Sequence, residues 1–364
     1  MNASLKALHA MGQSLWVDNI TRKILEDDTL KDYIAELSIT GLTSNPTIFE
    51  QAMSAGDSYD EQIAELAGRD VQGEDLFFAL AMRDLTRAAD LFKPTHDATG
   101  GVDGWVSLEV SPLIVDDTEG TTMAARNLHA LAARPNLYIK IPGTPAGVRA
   151  IEDSIFAGVP VNVTLLFSRE HYLAVAEAYM RGVERRITAG LDPKVESVAS
   201  LFVSRWDVSV KDQVRPELAN RLGIAIAKRT YKAYRDLLSS PRWQKLAAAG
   251  AHPQRLLWAS TGVKDPAAAD TLYIEALAAP DTVNTMPDKT IKAFADHGKV
   301  GAALPPDGGD AETVLAAFAR AGVDIDALAE RLQREAADSF AKSWNNLLEG
   351  LTKKSATLAG ATAR

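Results

Sequence analysis

The segment 160–187, PVNVTLLFSREHYLAVAEAYMRGVERRI, contains the two patterns that decide the fold of this chain. Residues 160–167 form a short run rich in β-branched and aromatic side chains, which is typical of a strand. Ser168 is a good helix N-cap, and the apolar residues that follow it, from Tyr172 to Ile187, recur at helical spacing. The segment therefore predicts a strand followed directly by a helix.

The same strand-then-helix unit repeats along nearly the whole chain. Eight short runs are predicted as strands: 14–19, 39–45, 105–110, 137–142, 160–167, 197–205, 255–261 and 282–287. About eight such units are typical of a (β/α)8 TIM barrel. A doubly wound sheet also alternates strands and helices, but no GxGxxG motif follows the first strand and the chain has no natural division into halves. The sequence thus predicts one α/β domain, a barrel over 1–355, with a frayed or disordered tail at 356–364.

Three segments outside this repeat are also interpretable. The long, helical stretch between Asn45 and Trp105 predicts additional helices after strand 2, and the apolar spacing from Asp324 onward predicts a long C-terminal helix. The Gly- and Pro-rich segment 301–310 is expected to form a surface loop. Asp265 and Pro266 are interpreted as the N-cap and first residue of a helix.

Composition excludes several classes of protein. The chain has 364 residues, 46% of them hydrophobic, and this excludes disorder of the whole chain. A formal charge of −9 disfavours nucleic acid as a partner. The absence of cysteine removes thiolate nucleophiles and Cys-based zinc sites, and the scattered positions of the six histidines argue against a histidine-built metal site. No apolar run is long enough to cross a membrane, so a cytoplasmic protein without a membrane partner is expected.

Lys140 is the most informative candidate for chemistry, because it is the single charged residue in the predicted strand 137–142. Both faces of a barrel strand are covered, so either orientation buries this lysine. Burial lowers the pKa of an ammonium unless an anion compensates, and a neutral amine can attack a carbonyl to form a Schiff base. The alternative is a lysine that extends to solvent or pairs with a carboxylate.

Other polar residues occupy or follow the predicted strands. Asp18 and Glu109 are lone carboxylates among apolar residues, and with Lys140 they form either a proton-transfer set or a structural ion-pair network. Asn162 and Thr164 share one face of their strand by alternation. Asn45 precedes Pro46 at a predicted helix start, where capping of the helix N-terminus is a simpler interpretation than a role in the site.

Candidate phosphate-binding residues lie in or after the sixth and seventh strands. They are Ser200, Arg205, Ser260 and Lys264. Late loops of such barrels, with the adjoining helix N-termini, often bind phosphate. Each of these residues alone is weak evidence, because an arginine at a strand end is usually solvated. Asp207, Lys211 and Asp212 are interpreted as ordinary surface charges.

Six of these candidate residues lie within motifs that resemble the transaldolase family. GLTSNPTIF (41–49) resembles the first family motif, and LYIKIPGTPAGV (137–148) resembles the second, which surrounds the Schiff-base lysine of the family. NVTLLFS (162–168) and SLFVSR (200–205) resemble further family segments in the same order. The resemblance extends from about Trp16 to the closing helix, which is nearly the whole chain.

The resemblance implies a class I aldolase-type barrel that transfers a dihydroxyacetone unit between phosphorylated sugars without a metal or organic cofactor. The donors would be sedoheptulose 7-phosphate or fructose 6-phosphate, and the acceptors glyceraldehyde 3-phosphate or erythrose 4-phosphate, in the non-oxidative pentose phosphate pathway. The roles that it implies for individual residues are as follows: Lys140 as nucleophile, Asp18 as the acid/base at the C4 hydroxyl, Glu109 and Thr164 as proton carriers with a water, Asn45 and Asn162 on the dihydroxyacetone hydroxyls, Ser200 near the sugar, and Arg205, Ser260 and Lys264 on the distal phosphate.

The sequence departs from the family pattern in two places. A Ser-Pro-Phe-Val-Gly-Arg run of the family stands here as SLFVSR (200–205), and where many relatives have arginine after Ala-Ser, this chain offers Lys264. Lysine binds phosphate as a point charge without the bidentate fork of arginine. The alternatives are a fructose 6-phosphate aldolase-like lyase, a non-catalytic sugar-phosphate binding barrel and, with less support, a pyridoxal-phosphate barrel. A monomer or homodimer is expected.

Overall fold

The structure, a computed structural model, describes residues 2–54 and 56–362, and strands and helices alternate through this part of the chain. The strands are β1 (Gln13–Asp18), β2 (Ile39–Thr43), β3 (Val106–Glu109), β4 (Leu137–Pro142), β5 (Val161–Leu166), β6 (Ser197–Phe202), β7 (Arg255–Ala259) and β8 (Thr282–Met286). The helices are α1 (Ala3–Ala10), α2 (Arg22–Glu26), α3 (Thr29–Glu36), α4 (Pro46–Ser54), α5 (Asp60–Ala67), α6 (Gly73–Ala98), α7 (Thr118–Ala132), α8 (Pro145–Phe156), α9 (Arg169–Thr188), α10 (Ser204–Val210), α11 (Leu222–Leu238), α12 (Pro241–Ala248), α13 (Leu272–Ala276), α14 (Asp288–His297), α15 (Ala311–Arg320) and α16 (Ile325–Thr362).

The eight strands form one parallel sheet that closes on itself. Their order is β2-β1-β8-β7-β6-β5-β4-β3. The two ends of this series meet at a parallel bridge between Gly41 and Trp105, where the Leu42 amide donates to the Trp105 carbonyl at 2.9 Å. The predicted (β/α)8 barrel is therefore confirmed, and the open doubly wound sheet is wrong.

Local sequence patterns account for most element boundaries. All eight predicted strands are present, and Ser168 caps α9 by accepting a hydrogen bond from the His171 amide at 3.0 Å. The strand predicted over 197–205 is longer than the observed β6. The strand ends at Phe202 because Val203 adopts a helical backbone conformation and α10 begins at Ser204. Arg205 consequently lies in the first turn of a helix.

The additional helices predicted after strand 2 and the predicted long C-terminal helix are both present, and they pack together. Between β2 and β3 the chain forms α4, α5 and α6, and all three pack against the long closing helix α16. At this contact the Trp344 ring lies 4.6 Å from the Phe77 ring, and Trp344 Nε1 donates to Glu74 Oε1 at 2.8 Å. Residues 356–362 continue α16, and the fraying predicted for 356–364 stays a prediction. The segment 301–310 is a loop, as expected.

The helix start predicted at Asp265 and Pro266 is wrong. Asp265 Oδ1 accepts a hydrogen bond from the Ala267 amide at 2.9 Å, and Oδ2 accepts one from Asn220 Nδ2 at 2.6 Å. This local bond to the backbone two residues onward forms a turn in place of a helix. The next helix, α13, begins only at Leu272.

The surface position predicted for Asp207 is also wrong, whereas Lys211 and Asp212 are exposed as expected. Asp207 is buried and accepts hydrogen bonds from the Leu222 amide at 2.8 Å and from the Tyr273 hydroxyl at 2.8 Å. It therefore joins α10 to the N-terminus of α11, whose first amides lack partners within their own helix. Burial raises the pKa of Asp207 to about 6, against the effect of these hydrogen bonds.

Within residues 2–54 and 56–362, every helix is too short or too polar to span a membrane.

Barrel closure depends on the absence of a side chain at Gly41. A Cβ there would lie 2.6 Å from Trp16 Nε1 and 2.7 Å from the Trp105 carbonyl oxygen. We expect Gly41→Ala to lower the free energy of unfolding by about 1–3 kcal/mol, as measured by urea denaturation. Gly350→Ala is the control, because a Cβ meets open space there within α16 and should stabilise the protein by about 0.5–1 kcal/mol. Equal stability of Gly41→Ala and wild type would contradict this account.

The raised pKa of Asp207 predicts how stability depends on pH. The Asp207 carboxyl binds a proton more tightly in the folded state than in the unfolded state. Its contribution to stability is therefore lost as pH rises from about 4 to about 6. The shift corresponds to about 3 kcal/mol at most. Asp207→Asn should therefore flatten the fall in unfolding free energy over this pH range, as measured by urea denaturation at each pH. Asp212→Asn, on the surface, should not, and equal slopes for all three proteins would disprove the assignment.

Candidate active site

A cavity of about 230 Å³ lies at the carboxyl end of the barrel strands. Eight of the ten predicted site residues line it: Asp18, Asn45, Lys140, Thr164, Ser200, Arg205, Ser260 and Lys264. The other two predicted residues, Glu109 and Asn162, lie behind this lining, and both are buried. Strands distant in sequence thus bring all ten predicted residues to one place.

Lys140 lies near the end of β4, and its side chain is only 7% exposed. Strand register places Lys140 directly beside Glu109 of β3, and Lys140 Nζ lies 3.0 Å from Glu109 Oε2. Nζ also donates to the carbonyl oxygen of Ser44 at 2.8 Å. A lysine that extends to solvent is therefore excluded, whereas pairing with a carboxylate is observed. The remaining question is whether the pair is structural or reactive.

Glu109 has the properties of a group that can exchange a proton with its neighbour. Burial raises its pKa, the positive charge of Lys140 lowers it to a smaller extent, and the negative charge of Asp18 raises it further. Within the described part of the chain, neither carboxylate oxygen has a partner that satisfies full hydrogen-bond geometry. Buried carboxylates of structural ion pairs normally accept further hydrogen bonds. The arrangement therefore favours the reactive interpretation of the pair.

Asp18 ends β1 and lines the same cavity as Lys140. Its Oδ1 accepts a hydrogen bond from Thr43 Oγ1 at 2.7 Å, and this hydroxyl lies 2.6 Å from Thr285 Oγ1. Burial raises the pKa of Asp18, while the Thr43 hydrogen bond and the charge of Lys140 lower it to a smaller extent. Asp18 is thus a carboxyl whose proton affinity is raised beside an open cavity, as general acid/base catalysis requires.

Two polar residues of β5, the neighbour of β4 on the side away from β3, lie close to Lys140 in the sheet. Asn162 is the register neighbour of Lys140, and its side chain bonds to Ser107 Oγ at 3.1 Å and to Ser200 Oγ at 2.7 Å. Thr164 Oγ1 is buried without a hydrogen-bond partner among the described residues, although it borders the cavity. A buried hydroxyl in this condition is matched to a ligand or a water molecule.

The predicted N-capping role of Asn45 is confirmed, and Asn45 also lines the cavity. Its Oδ1 accepts a hydrogen bond from the Ile48 amide at 3.0 Å, so it caps α4. The same side chain borders the space in front of Lys140. A capping role and a position in the site are therefore compatible at this residue.

The cationic side of the cavity is formed by Arg205 of α10 and Lys264 of the loop after β7. Burial lowers the pKa of both, and for Lys264 the charges of Lys289 and Arg205 act in the same direction. Ser260 adopts a left-handed backbone conformation with φ of 56°, and its Oγ lies 2.9 Å from Ser204 Oγ. A buried lysine whose pKa is further lowered by neighbouring positive charges is matched to an anion that compensates them.

Several residues that line the cavity were not predicted from the sequence. Thr43 lies in the motif 41–49 and could have been found, because it lies near the end of a predicted strand, where the register pairs it with Asp18. Phe202 ends the observed β6, whereas the predicted strand continued to Arg205. Phe340 gave no signal, since on α16 it is one of many apolar residues that face the core. Its place at the cavity follows from how α16 packs.

The part of the chain that the structure describes contains no group of three or more His, Asp or Glu residues that could hold a metal ion.

Comparison with known proteins shows similarity over nearly the whole chain. Residues 15–351 match the model of the Transaldolase/Fructose-6-phosphate aldolase family. A transaldolase of Frankia alni is 45% identical over 357 residues, which cover 96% of each chain. A transaldolase of Parafrankia sp. is 44% identical over 363 residues, covering 97% of this chain and 98% of the relative. One of Thermobifida fusca is also 44% identical over 363 residues, covering 97% and 99%.

Proposed function

This chain belongs to the transaldolase/fructose-6-phosphate aldolase family, and we propose that it is a transaldolase that transfers a dihydroxyacetone unit through a Schiff base on Lys140. The donor is sedoheptulose 7-phosphate or fructose 6-phosphate, and the acceptor is glyceraldehyde 3-phosphate or erythrose 4-phosphate. The transaldolase names of relatives that align end to end with this chain favour transfer over the aldolase-like lyase and over a non-catalytic binding barrel.

The observation that carries the proposal is the buried pair of Lys140 and Glu109 beside an open cavity. An amine must be neutral to attack a ketone, and Glu109 at 3.0 Å is a base of raised proton affinity that can accept the Lys140 proton. Attack on C2 of the sugar gives a carbinolamine. Glu109 and the unpartnered Thr164 hydroxyl, with a water molecule, then move the protons needed to expel hydroxide as water and form the iminium.

Asp18 performs the second half of the reaction. It removes the proton from the C4 hydroxyl while the C3–C4 bond breaks, and the bond electrons flow into the iminium to give an enamine on Lys140. The aldehyde then leaves, an acceptor aldehyde takes its place, and the same steps run in reverse. The protonated imine is the electron sink, so this mechanism uses neither a metal ion nor an organic cofactor.

The other predicted residues in and behind the cavity suit a polyhydroxylated substrate with a phosphate at its far end. Asn45 and Ser200 line the cavity, and Asn162 lies behind it, bonded to Ser200 Oγ. We assign these three to the hydroxyls of the dihydroxyacetone unit and the sugar. Arg205, Lys264 and Ser260 lie on the cationic side, matched to the distal phosphate. This activity belongs to the non-oxidative pentose phosphate pathway. A cytoplasmic location and a monomeric or homodimeric state stay predictions.

Lys140→Met keeps the buried volume and removes the nucleophile, so we expect complete loss of transaldolase activity in a folded protein. Borohydride reduction of wild type with fructose 6-phosphate, followed by peptide mass mapping, should place a reduced dihydroxyacetone adduct on Lys140. Lys211→Met, a surface variant, should be trapped and turn over as wild type. Substantial turnover by Lys140→Met, or an adduct on another lysine, would disprove the mechanism.

Asp18→Asn should slow cleavage of the C3–C4 bond by roughly two to four orders of magnitude, because the C4 hydroxyl loses its general base. The measurement is a single-turnover assay of glyceraldehyde 3-phosphate release from fructose 6-phosphate. Borohydride trapping of the intact six-carbon sugar on Lys140 serves as the internal control and should persist. A cleavage rate equal to that of wild type would remove Asp18 from this role.

A further inference from the structure

The closing helix α16 places one aromatic side chain over the reactive lysine. Phe340 is buried and lines the cavity, and the centre of its ring lies 6.0 Å from Lys140 Nζ. On its other sides Nζ faces the Ser44 carbonyl and the Glu109 carboxylate. Phe340 therefore supplies an apolar surface beside a group that is otherwise surrounded by polar atoms.

Phe340 is held in this position by contacts on both sides of it along the helix. Two turns earlier, the buried Gln333 side chain donates from Nε2 to the Gly143 carbonyl at 3.2 Å and to the Leu165 carbonyl at 2.9 Å. These carbonyls lie at the ends of β4 and β5, the strands that carry Lys140 and Thr164. One turn later, Trp344 bonds to Glu74 of α6. The helix is thus tied directly to the strand ends that form the site.

The chemistry of transfer requires protection at this point. When the first aldehyde leaves, the three-carbon enamine stays on Lys140 until an acceptor binds. Protonation of C3 turns the enamine into an iminium, and attack of water on C2 then gives a carbinolamine. Cleavage of its C2–N bond releases dihydroxyacetone and returns the proton with the lysine as an ammonium. Transfer also ends with hydrolysis of an iminium by one water molecule, so the two outcomes diverge at C3 of the enamine: release begins with its protonation, and transfer begins with its attack on an acceptor aldehyde.

We propose that Phe340 determines the partition between transfer and release by keeping water, as a proton donor, away from C3 of the enamine on Lys140. This inference rests on the proposed function. Phe340 is a specificity-determining residue, because it favours reaction of the enamine with an aldehyde over protonation of the enamine by water. Gln333 acts through it, as a positioning residue that fixes α16 on the strand ends.

The test measures two rates in the same protein with fructose 6-phosphate as donor. One is transfer to erythrose 4-phosphate, and the other is release of free dihydroxyacetone without an acceptor. We expect Phe340→Ala to raise the ratio of release to transfer by about tenfold or more, because the truncation opens space for water beside the adduct. Phe340→Leu, which keeps an apolar side chain, should raise the ratio by a smaller factor.

Leu347→Ala is the matched control. It truncates a buried side chain of the same helix about 10 Å further along and outside the cavity, so it should leave the ratio as in wild type. A merely structural role of Phe340 would lower both rates together and leave the ratio unchanged, and this result would overturn the inference. If Phe340→Ala does not fold, the ratio in Phe340→Leu decides in the same way. Absence of transfer in wild type would instead overturn the proposed function.

Discussion

The site depends on one constraint, which is that an ammonium and a carboxylate must stay together away from water. Removing two such charges from solvent costs several kcal/mol for each ion, and their attraction compensates only at close range. Lys140 and Glu109 satisfy this condition because β3 and β4 are register neighbours at this position. The pair leaves the Glu109 oxygens without fully formed hydrogen bonds, and the uncompensated part of the burial cost appears as a raised carboxyl pKa. A stable but incompletely satisfied pair of this kind can exchange a proton.

The rest of the structure keeps this pair buried beside the cavity. The bridge at Gly41 and Trp105 closes the barrel, so β2 can bring the Ser44 carbonyl to Lys140. The helices between β2 and β3 are additional to the eightfold repeat, and they form the surface against which α16 packs. Through Gln333 and Phe340, α16 in turn reaches the strand ends. The extra helices and the closing helix therefore form one packed unit that contacts the strand ends of the site.

The predictions that were right and those that were wrong differ in the range of the interactions involved. Strands and their helices were predictable because apolar periodicity and N-caps such as Ser168 act over a few residues. The errors occurred where a distant partner decides. Asp207 resembles a surface charge in its own helix, and only α11 and Tyr273, which are folded against it, make it a buried acceptor. Asp265 is a mixed case, because a local bond to the Ala267 amide forms the turn and the distant Asn220 side chain also bonds to it.

By itself, the sequence determined the barrel class, the strand that carries Lys140 and the set of polar residues that share its cavity. This was possible because each strand end of a parallel barrel opens at the same face, so local position along a strand already implies position in the site. Tertiary structure alone decided which of these groups touch: the contact of Lys140 with Glu109, the bond of Asp18 to Thr43 and the place of Phe340 over the lysine. These contacts join segments far apart in the chain, and their geometry depends on strand register and helix packing, which no local pattern of residues encodes.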